Sequence, residues 1–98
     1  MDWRKQARKA LREYPKAKRR SEPDDQAVIA AVEFAMKMQD VYPNAAERRA
    51  MVDMVYFKGT HTMQGAALEC HYSPDTVKKW AAEIKAAVYV GLIHQGRE

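Results

Sequence analysis

Residues 62–81 of this chain read TMQGAALECHYSPDTVKKWA, and this stretch predicts two helices joined by a tight turn. Thr62 is placed to cap the first helix, because its hydroxyl can accept a free amide proton at the helix start. The turn is expected at His71. Ser73 and Pro74 then begin the second helix, with serine at the cap and proline at the first position, where its missing N–H costs nothing.

The second helix has one apolar side and one polar side. Its apolar side chains recur at i, i+3, i+4 and i+7, the spacing of a stripe that faces a core; they are Val77, Trp80, Ala81 and Ile84. Ala67 supplies the small side chain needed where the two helices approach most closely. The polar side carries short polar and cationic groups that could enter a DNA major groove: Asp75, Thr76, Lys78 and Lys79. The pattern predicts a helix-turn-helix.

An ordinary helical hairpin in a small bundle is the alternative interpretation of the same stretch. The motif usually places glycine in the turn, because that position requires a positive φ, and this chain has His71 there. Histidine adopts that region more readily than most side chains, so the departure does not exclude the motif.

Length and composition limit the class of protein. A chain of 98 residues, 47% of them hydrophobic, is expected to form one domain with a modest core. The single cysteine, Cys70, excludes an internal disulfide and fits a reducing compartment. No apolar run approaches the length of a membrane span, and no signal sequence opens the chain. We therefore expect a soluble protein in the cytoplasm, with no membrane partner.

The charge is distributed unevenly. The net charge is +4, but residues 1–20 alone carry about +7, residues 21–43 about −4 and residues 44–98 about +1. A dense basic end on a mildly charged chain indicates a polyanion partner addressed by that end. A solubilising or disordered tail is the alternative.

Helix signals divide the rest of the chain into an all-α fold. Residues 2–14 predict a short basic amphipathic helix that ends at Pro15, followed by a basic linker over residues 16–20. Residues 21–25 signal the start of a helix that runs to about Val41, with Ser21 as a cap. We predict an N-terminal basic segment over residues 1–20 and a helical domain over residues 21–93.

The second half has its own boundaries. Asn44 to Glu47 fits a capping box that opens a helix running to about Phe57, and Gly59 supplies the left-handed residue after it. Gly91 is placed to end the last helix, expected over residues 74–90. Residues 94–98 are expected to form a frayed tail.

The chain from Ala46 to Leu92 resembles the region-4 domain of sigma factors, and more narrowly the small phage transcriptional activators of the RinA and ArpU type. The matching residues are Glu47-Arg48-Arg49, Tyr56-Phe57-Lys58-Gly59, Thr62, Ala67, Ser73, Thr76-Val77, Trp80 and Gly91-Leu92. The resemblance covers about half the chain. It implies a helix-turn-helix domain that regulates transcription of phage or prophage genes in the cytoplasm of a bacterial host cell.

The expected function is sequence-specific binding of double-stranded DNA. The candidates for base contacts are Ser73, Asp75, Thr76, Lys78 and Lys79. The candidates for phosphate contacts are Arg48, Arg49, His61 and Thr62 beside the motif, and Arg4, Lys5, Arg8, Lys9, Arg12, Lys16, Lys18, Arg19 and Arg20 in the basic end. Homodimerisation through helix 26–41 would raise the affinity of so small a module; covering the core is that helix's alternative role.

Two other functions stay open. Small terminase proteins, which recognise DNA for packaging, also use a helix-turn-helix, although they usually add a long oligomerisation region. A region-4-like domain can also bind RNA polymerase or another host protein. The sequence predicts no metal, cofactor or catalytic residue, since Cys70, His71 and His61 are too few and wrongly spaced for structural zinc. An enzyme is not expected.

Overall fold

The structure is a computed structural model that describes residues 2–96, with side chains described through His94. These residues form five α-helices and no strand, which confirms the predicted all-α class. The helices are α1 (Trp3–Arg20), α2 (Gln26–Met38), α3 (Ala45–Val52), α4 (Met63–Cys70) and α5 (Pro74–Gly96). Single 3₁₀ turns at Pro23–Asp25 and Gln39–Val41 join α1 to α2 and extend α2, and a π-helical turn at Asp53–Phe57 extends α3.

Helix α5 is the central element of the core. The predicted apolar stripe is confirmed, since Val77, Trp80, Ala81 and Ile84 are all buried and Val88 extends the stripe. Helices α1, α2 and α4 pack along this stripe, and α3 contacts it through fewer residues. Ala66 and Ala67 are the buried residues of α4, so small side chains do let α4 and α5 come close together.

Helix α1 continues through Pro15, so the prediction that the helix ends there is wrong. Proline inside a helix removes one backbone hydrogen bond and typically costs about 3 kcal/mol. Burial on both sides of the proline offsets that cost. Ala7, Ala10 and Leu11 are buried before it, and Ala17 is buried after it. The predicted basic linker is therefore the last turn of a packed helix.

Ion pairs fasten the end of α1 to α2. Arg20 donates to both carboxylate oxygens of Asp25, at 3.2 and 2.7 Å, and Lys18 pairs with Glu33. The Tyr14 hydroxyl also donates to Glu33 at 2.8 Å. Partial burial, together with Glu33, raises the pKa of Tyr14 to about 12, so this hydroxyl stays a donor across the physiological range.

Ser21 has a different role from the predicted one. It lies in the left-handed region at φ 51° and ends α1, where its hydroxyl donates to the Lys18 carbonyl at 2.8 Å. It does not cap the following helix. That task falls to residues 22–25, where the Glu22 N–H donates to the Asp25 carboxylate at 3.1 Å.

These pairs predict a loss of stability in acid. Hydrogen bonds from Arg20 lower the pKa of Asp25, and hydrogen bonds from Lys18 and Tyr14 lower the pKa of Glu33. A carboxyl whose pKa is lower in the folded state stabilises the fold above its unfolded pKa, and that contribution is lost as the pH falls through the folded value. We expect the melting temperature, followed by circular dichroism, to decrease once the pH is lowered below about 4.5.

The double variant Asp25→Asn, Glu33→Gln should be less stable at pH 7 and should lose less on acidification than the wild type. Asp24→Asn is the matched control, because Asp24 is exposed beside Asp25 and makes no side-chain bond among the described residues. Equal acid dependence in the wild type and the double variant would contradict the assignment.

The connection to α3 corrects a second capping prediction. Asn44 precedes α3, but its side chain makes no capping bond, so the predicted capping box is absent. Its Oδ1 atom accepts instead from Arg48 Nε at 3.0 Å. The far end of this helix agrees with the prediction: the π-helical turn ends at Phe57, and Gly59 reverses the chain with φ +66°.

Gly91 lies inside α5 and does not end it, so that prediction is also wrong. The helix continues to Gly96, which makes residues 94–96 of the predicted tail helical, while Arg97 and Glu98 lie outside the described residues. A Cβ atom at Gly91 would fall 2.9 Å from the Cα atom of Ala31 in α2. Glycine is needed there because the two helix backbones come close together.

Gly91→Ala should therefore destabilise the fold by about 1–3 kcal/mol, since the methyl group would force α2 and α5 apart. Gly65→Ala is the control, because the atoms nearest to a Cβ there belong to the Thr62 and His61 side chains, at 3.4 Å or more. Alanine at that helical position should be neutral or stabilise the fold by up to about 1 kcal/mol. Urea unfolding of the two variants would test the contrast; equal effects would contradict it.

Candidate nucleic-acid interface

Local hydrogen bonds shape the segment that joins α4 to α5. Thr62 caps α4 as predicted, with Oγ1 accepting from the Gly65 N–H at 3.1 Å. His71 ends α4 in the left-handed region at φ 63°, ψ 38°. Ser73 caps α5 as predicted, with Oγ accepting from the Thr76 N–H at 3.2 Å. Three residues thus connect the two helices, and both helices begin at capped ends.

The first turns of α5 present a polar face to solvent. Asp75, Lys78 and Lys79 are exposed, whereas Trp80 on the opposite side is only 2% exposed. Tyr72 covers the indole from the turn, with the two ring centroids 4.6 Å apart. Within residues 2–96, neither Lys78 nor Lys79 lies within ion-pair distance of an acid. Both ammonium groups are therefore available to a ligand.

The hydroxyl groups of Ser73 and Thr76 already take part in hydrogen bonds within the chain. The two oxygens lie 2.8 Å apart and share a hydrogen bond in addition to the capping bond. Both residues were predicted to contact bases. The geometry gives them a clear role in starting α5, and leaves Asp75, Lys78 and Lys79 as the freely exposed polar groups of this face.

The structure corrects the prediction that Arg48 contacts a DNA phosphate. Its side chain is buried and lies against the Tyr42 ring, with 3.6 Å from the guanidinium carbon to the ring centroid. Arg48 donates to Gln39 Oε1 at 3.1 Å and lies 2.9 Å from Glu83 Oε1 in α5. The group is enclosed by α5 and the turn before α3, so it cannot reach a phosphate.

Arg49 is the neighbouring predicted contact, and it is exposed but engaged. Its guanidinium pairs with Asp40 and donates to the Met36 carbonyl at 3.0 Å. Arg48 and Arg49 thus form a natural comparison: the two arginines are adjacent in sequence, and only Arg48 lies inside the core.

Arg48→Ala should destabilise the protein by about 2–4 kcal/mol, because it leaves Gln39 and Glu83 without their cationic partner and opens a gap beneath Tyr42. Arg49→Ala should cost no more than about 1 kcal/mol, since both partners of that pair are exposed to solvent. Chemical unfolding of both variants measures the difference. Similar losses would show that Arg48 is not a core residue.

The predicted cations of the basic end fall into two groups. Lys18 and Arg20 are held in intramolecular pairs with Glu33 and Asp25, so the structure assigns them to α1–α2 packing. The others are exposed on α1 and have no acidic side chain within ion-pair distance in the described part of the chain; they are Arg4, Lys5, Arg8, Lys9, Arg12, Lys16 and Arg19. This helix therefore exposes these seven cationic side chains to solvent.

His61 and Thr62 lie at the start of α4, as predicted. His61 is half-buried, its Nδ1 atom lies 2.9 Å from Thr60 Oγ1, and its Nε2 atom lies 3.9 Å from a Glu69 oxygen. Lys85, which sequence reasoning missed, lies in the same groove as these residues. Its position seven residues after Lys78 was the signal that could have identified it, since that spacing returns to the same side of a helix.

Cys70 is half-buried at the end of α4, and its Sγ atom lies 3.7 Å from the Glu47 carbonyl oxygen. Burial, with Glu47 and Glu69 nearby, raises the pKa of this thiol. Across residues 2–96, no three His, Cys, Asp or Glu side chains come together in a group able to hold a metal ion.

None of the described helices combines the length and apolar character needed to cross a bilayer. The chain matches no protein-family model, no curated protein and no solved structure. The resemblance to region-4 domains therefore stays a prediction that depends on the residues quoted for it.

Proposed function

We propose that this protein is a sequence-specific DNA-binding regulator of transcription that acts on phage or prophage genes. In this proposal α4 and α5 form a helix-turn-helix, and the first turns of α5 lie in the major groove. The observation that carries it is the pair of exposed lysines, Lys78 and Lys79, on a helix whose opposite face is buried.

The surface beyond the two lysines also supports this use. Ala82 and Ala86 continue the exposed side of α5 with small neutral side chains, which permit close approach to a duplex. Glu83, the acid of that region, is turned toward Arg48 and forms an ion pair with it. Asp75 is the remaining exposed acid of the first turn; a carboxylate can accept from cytosine N4 and repels phosphates, so it acts as a discriminator.

Exposed apolar side chains support a second copy of the chain as a partner. Phe34, Met38 and Val41 form a stripe along the outer side of α2 and its terminal turn, and Val90 and Ile93 of α5 are also exposed. Phe34 and Val90 line one groove between these helices. A single module covers only about 600–1,000 Å² of its own surface on DNA, so a dimer on a two-fold site would raise affinity.

Oligomeric state separates the proposal from its nearest alternative. A dimer in solution fits a regulator that binds a two-fold site, whereas a ring of many copies would favour a DNA-packaging recognition protein. Binding to RNA polymerase without any affinity for DNA would favour the protein-binding alternative instead.

The proposal predicts the effect of removing the two lysines. A duplex selected from a random library by the purified wild-type chain serves as the specific site. Lys78→Ala with Lys79→Ala should reduce discrimination between that duplex and a scrambled one by about 1–3 kcal/mol, measured by fluorescence anisotropy. The melting temperature should not fall, because both side chains are exposed and form no ion pair with the part of the chain that the structure describes.

Lys37→Ala is the matched control. Lys37 is an exposed lysine of α2 that has no acidic partner among the described residues, so its loss removes one positive charge, against two in the double variant, from a different face. If discrimination is unchanged in the Lys78 and Lys79 double variant, α5 does not read the bases and the proposal fails.

A further inference from the structure

A groove of about 390 Å³ lies between α1, α5 and the start of α4. Three cationic side chains from two helices line it: Arg8 and Arg12 from α1 and Lys85 from α5. Tyr56, from the π-helical turn after α3, also lines the groove, and its phenol is buried. Helices far apart in sequence thus bring three positive charges around one partly enclosed space.

Among the described residues, the three cations have no counter-ion within ion-pair distance. In the described residues, no acidic oxygen lies within 4.0 Å of Arg8, Arg12 or Lys85. The charge of Asp2 acts to raise the pKa of Lys85, but from a greater distance. Burial, with the charges of Arg8 and Arg4, lowers the pKa of Lys85. The cations therefore repel one another across the groove, and an anion bound between them would relieve that repulsion.

The start of α4 forms another wall of the groove. His61, Thr62 and Met63 lie along it, and the end of a helix that bears free N–H groups carries partial positive charge. Only the Gly65 N–H is taken by the Thr62 side chain, which leaves the earlier amides of the first turn for a ligand. The helix end adds to the attraction of the three side chains for an anion.

The groove is within reach of a duplex that contacts the first turns of α5. Lys85 and Lys78 are seven residues apart and lie on the same side of α5, which separates them by about 10 Å along the helix axis. The major groove is about 12 Å wide and is bordered by the phosphates of both strands. A duplex whose bases meet Lys78 would bring a phosphate of one strand toward Lys85.

We propose that this cationic groove, formed by Arg8, Arg12, Lys85 and the first turn of α4, binds a phosphate of the DNA backbone while α5 contacts the bases. This inference rests on the proposed function and adds a second site to it. It makes α1 a fixed part of the DNA-binding surface and assigns Lys85 a role in phosphate binding.

The test is the triple variant Arg8→Gln, Arg12→Gln, Lys85→Gln of the full chain. Affinity for the selected duplex and for a scrambled duplex of equal length is measured by anisotropy across a series of salt concentrations. Each lost phosphate contact should make the slope of log K against log salt shallower by about 0.9. Affinity should fall by a similar factor for both duplexes, because phosphates carry no sequence information.

Two controls separate site binding from general charge and from unfolding. Lys37→Gln removes a charge from α2, away from the groove, and should leave the slope near the wild-type value. Circular dichroism melting of the triple variant checks the fold. Since the three cations repel each other and no described acid lies within ion-pair distance of them, the melting temperature should not fall. The single variant Lys85→Gln provides the slope if the triple variant is unstable.

A second arm uses the wild-type protein with inorganic phosphate, followed by the amide chemical shifts of Met63 and Gln64. If the protein binds the duplexes but the triple variant has an unchanged slope, the groove proposal is overturned and the proposed function stands. If no duplex binds but phosphate shifts these amides saturably, and the triple variant abolishes the shift, the groove is a phosphate site for a free ligand and the proposed function fails. If neither ligand binds, both proposals fail.

Discussion

The burial of one side of α5 is the constraint on which the rest of the structure depends. Val77, Ile84 and Val88 are fully enclosed along this side, and Trp80 is nearly so. Each large apolar side chain removed from water contributes about 1.5–3 kcal/mol, so rotation of α5 about its axis would lose most of the core. The orientation of Lys78 and Lys79 toward solvent follows from that packing and not from any contact of their own.

The basic residues of this chain serve three different purposes, which a net charge of +4 conceals. Some hold the fold together: Arg48 joins α3 to α5 from inside the core, and Arg20 closes the α1–α2 connection. Others, such as Lys79, lie on an exposed helix face and are unpaired within residues 2–96. A third set converges on the groove beside α4. Only the unpaired charges of the second and third sets can attract a polyanion.

Helix α1 belongs to the core. Ala7, Leu11 and Ala17 are buried along its length, and its last turns are tied to α2 by ion pairs. A basic segment held in this way keeps its charges at set distances from α5, whereas a flexible tail would lose conformational entropy on binding. For the proposed function, this means that the surfaces proposed to face phosphates and bases belong to the same packed core.

The sequence by itself determined the parts of the fold that depend on short-range hydrogen bonds and on the period of apolar residues. Thr62, His71, Ser73 and Gly59 occupy the roles expected of them, because each role is set by a side chain or a φ angle within a few residues. The stripe on α5 was likewise readable, since burial repeats with the helical period. These signals were sufficient for the all-α class and for the exposure of Lys78 and Lys79.

Only the tertiary structure decided the rest. Pro15 stays helical because the helix is buried on both sides of it by residues distant in sequence. Arg48 is internal because Gln39, Glu83 and Tyr42 surround it. Gly91 does not end a helix; it lets α5 approach Ala31 closely. The cationic groove joins Arg8 to Lys85 across 77 positions of the sequence. Local propensity predicts each residue from its neighbours in the chain, whereas these four features depend on neighbours in space.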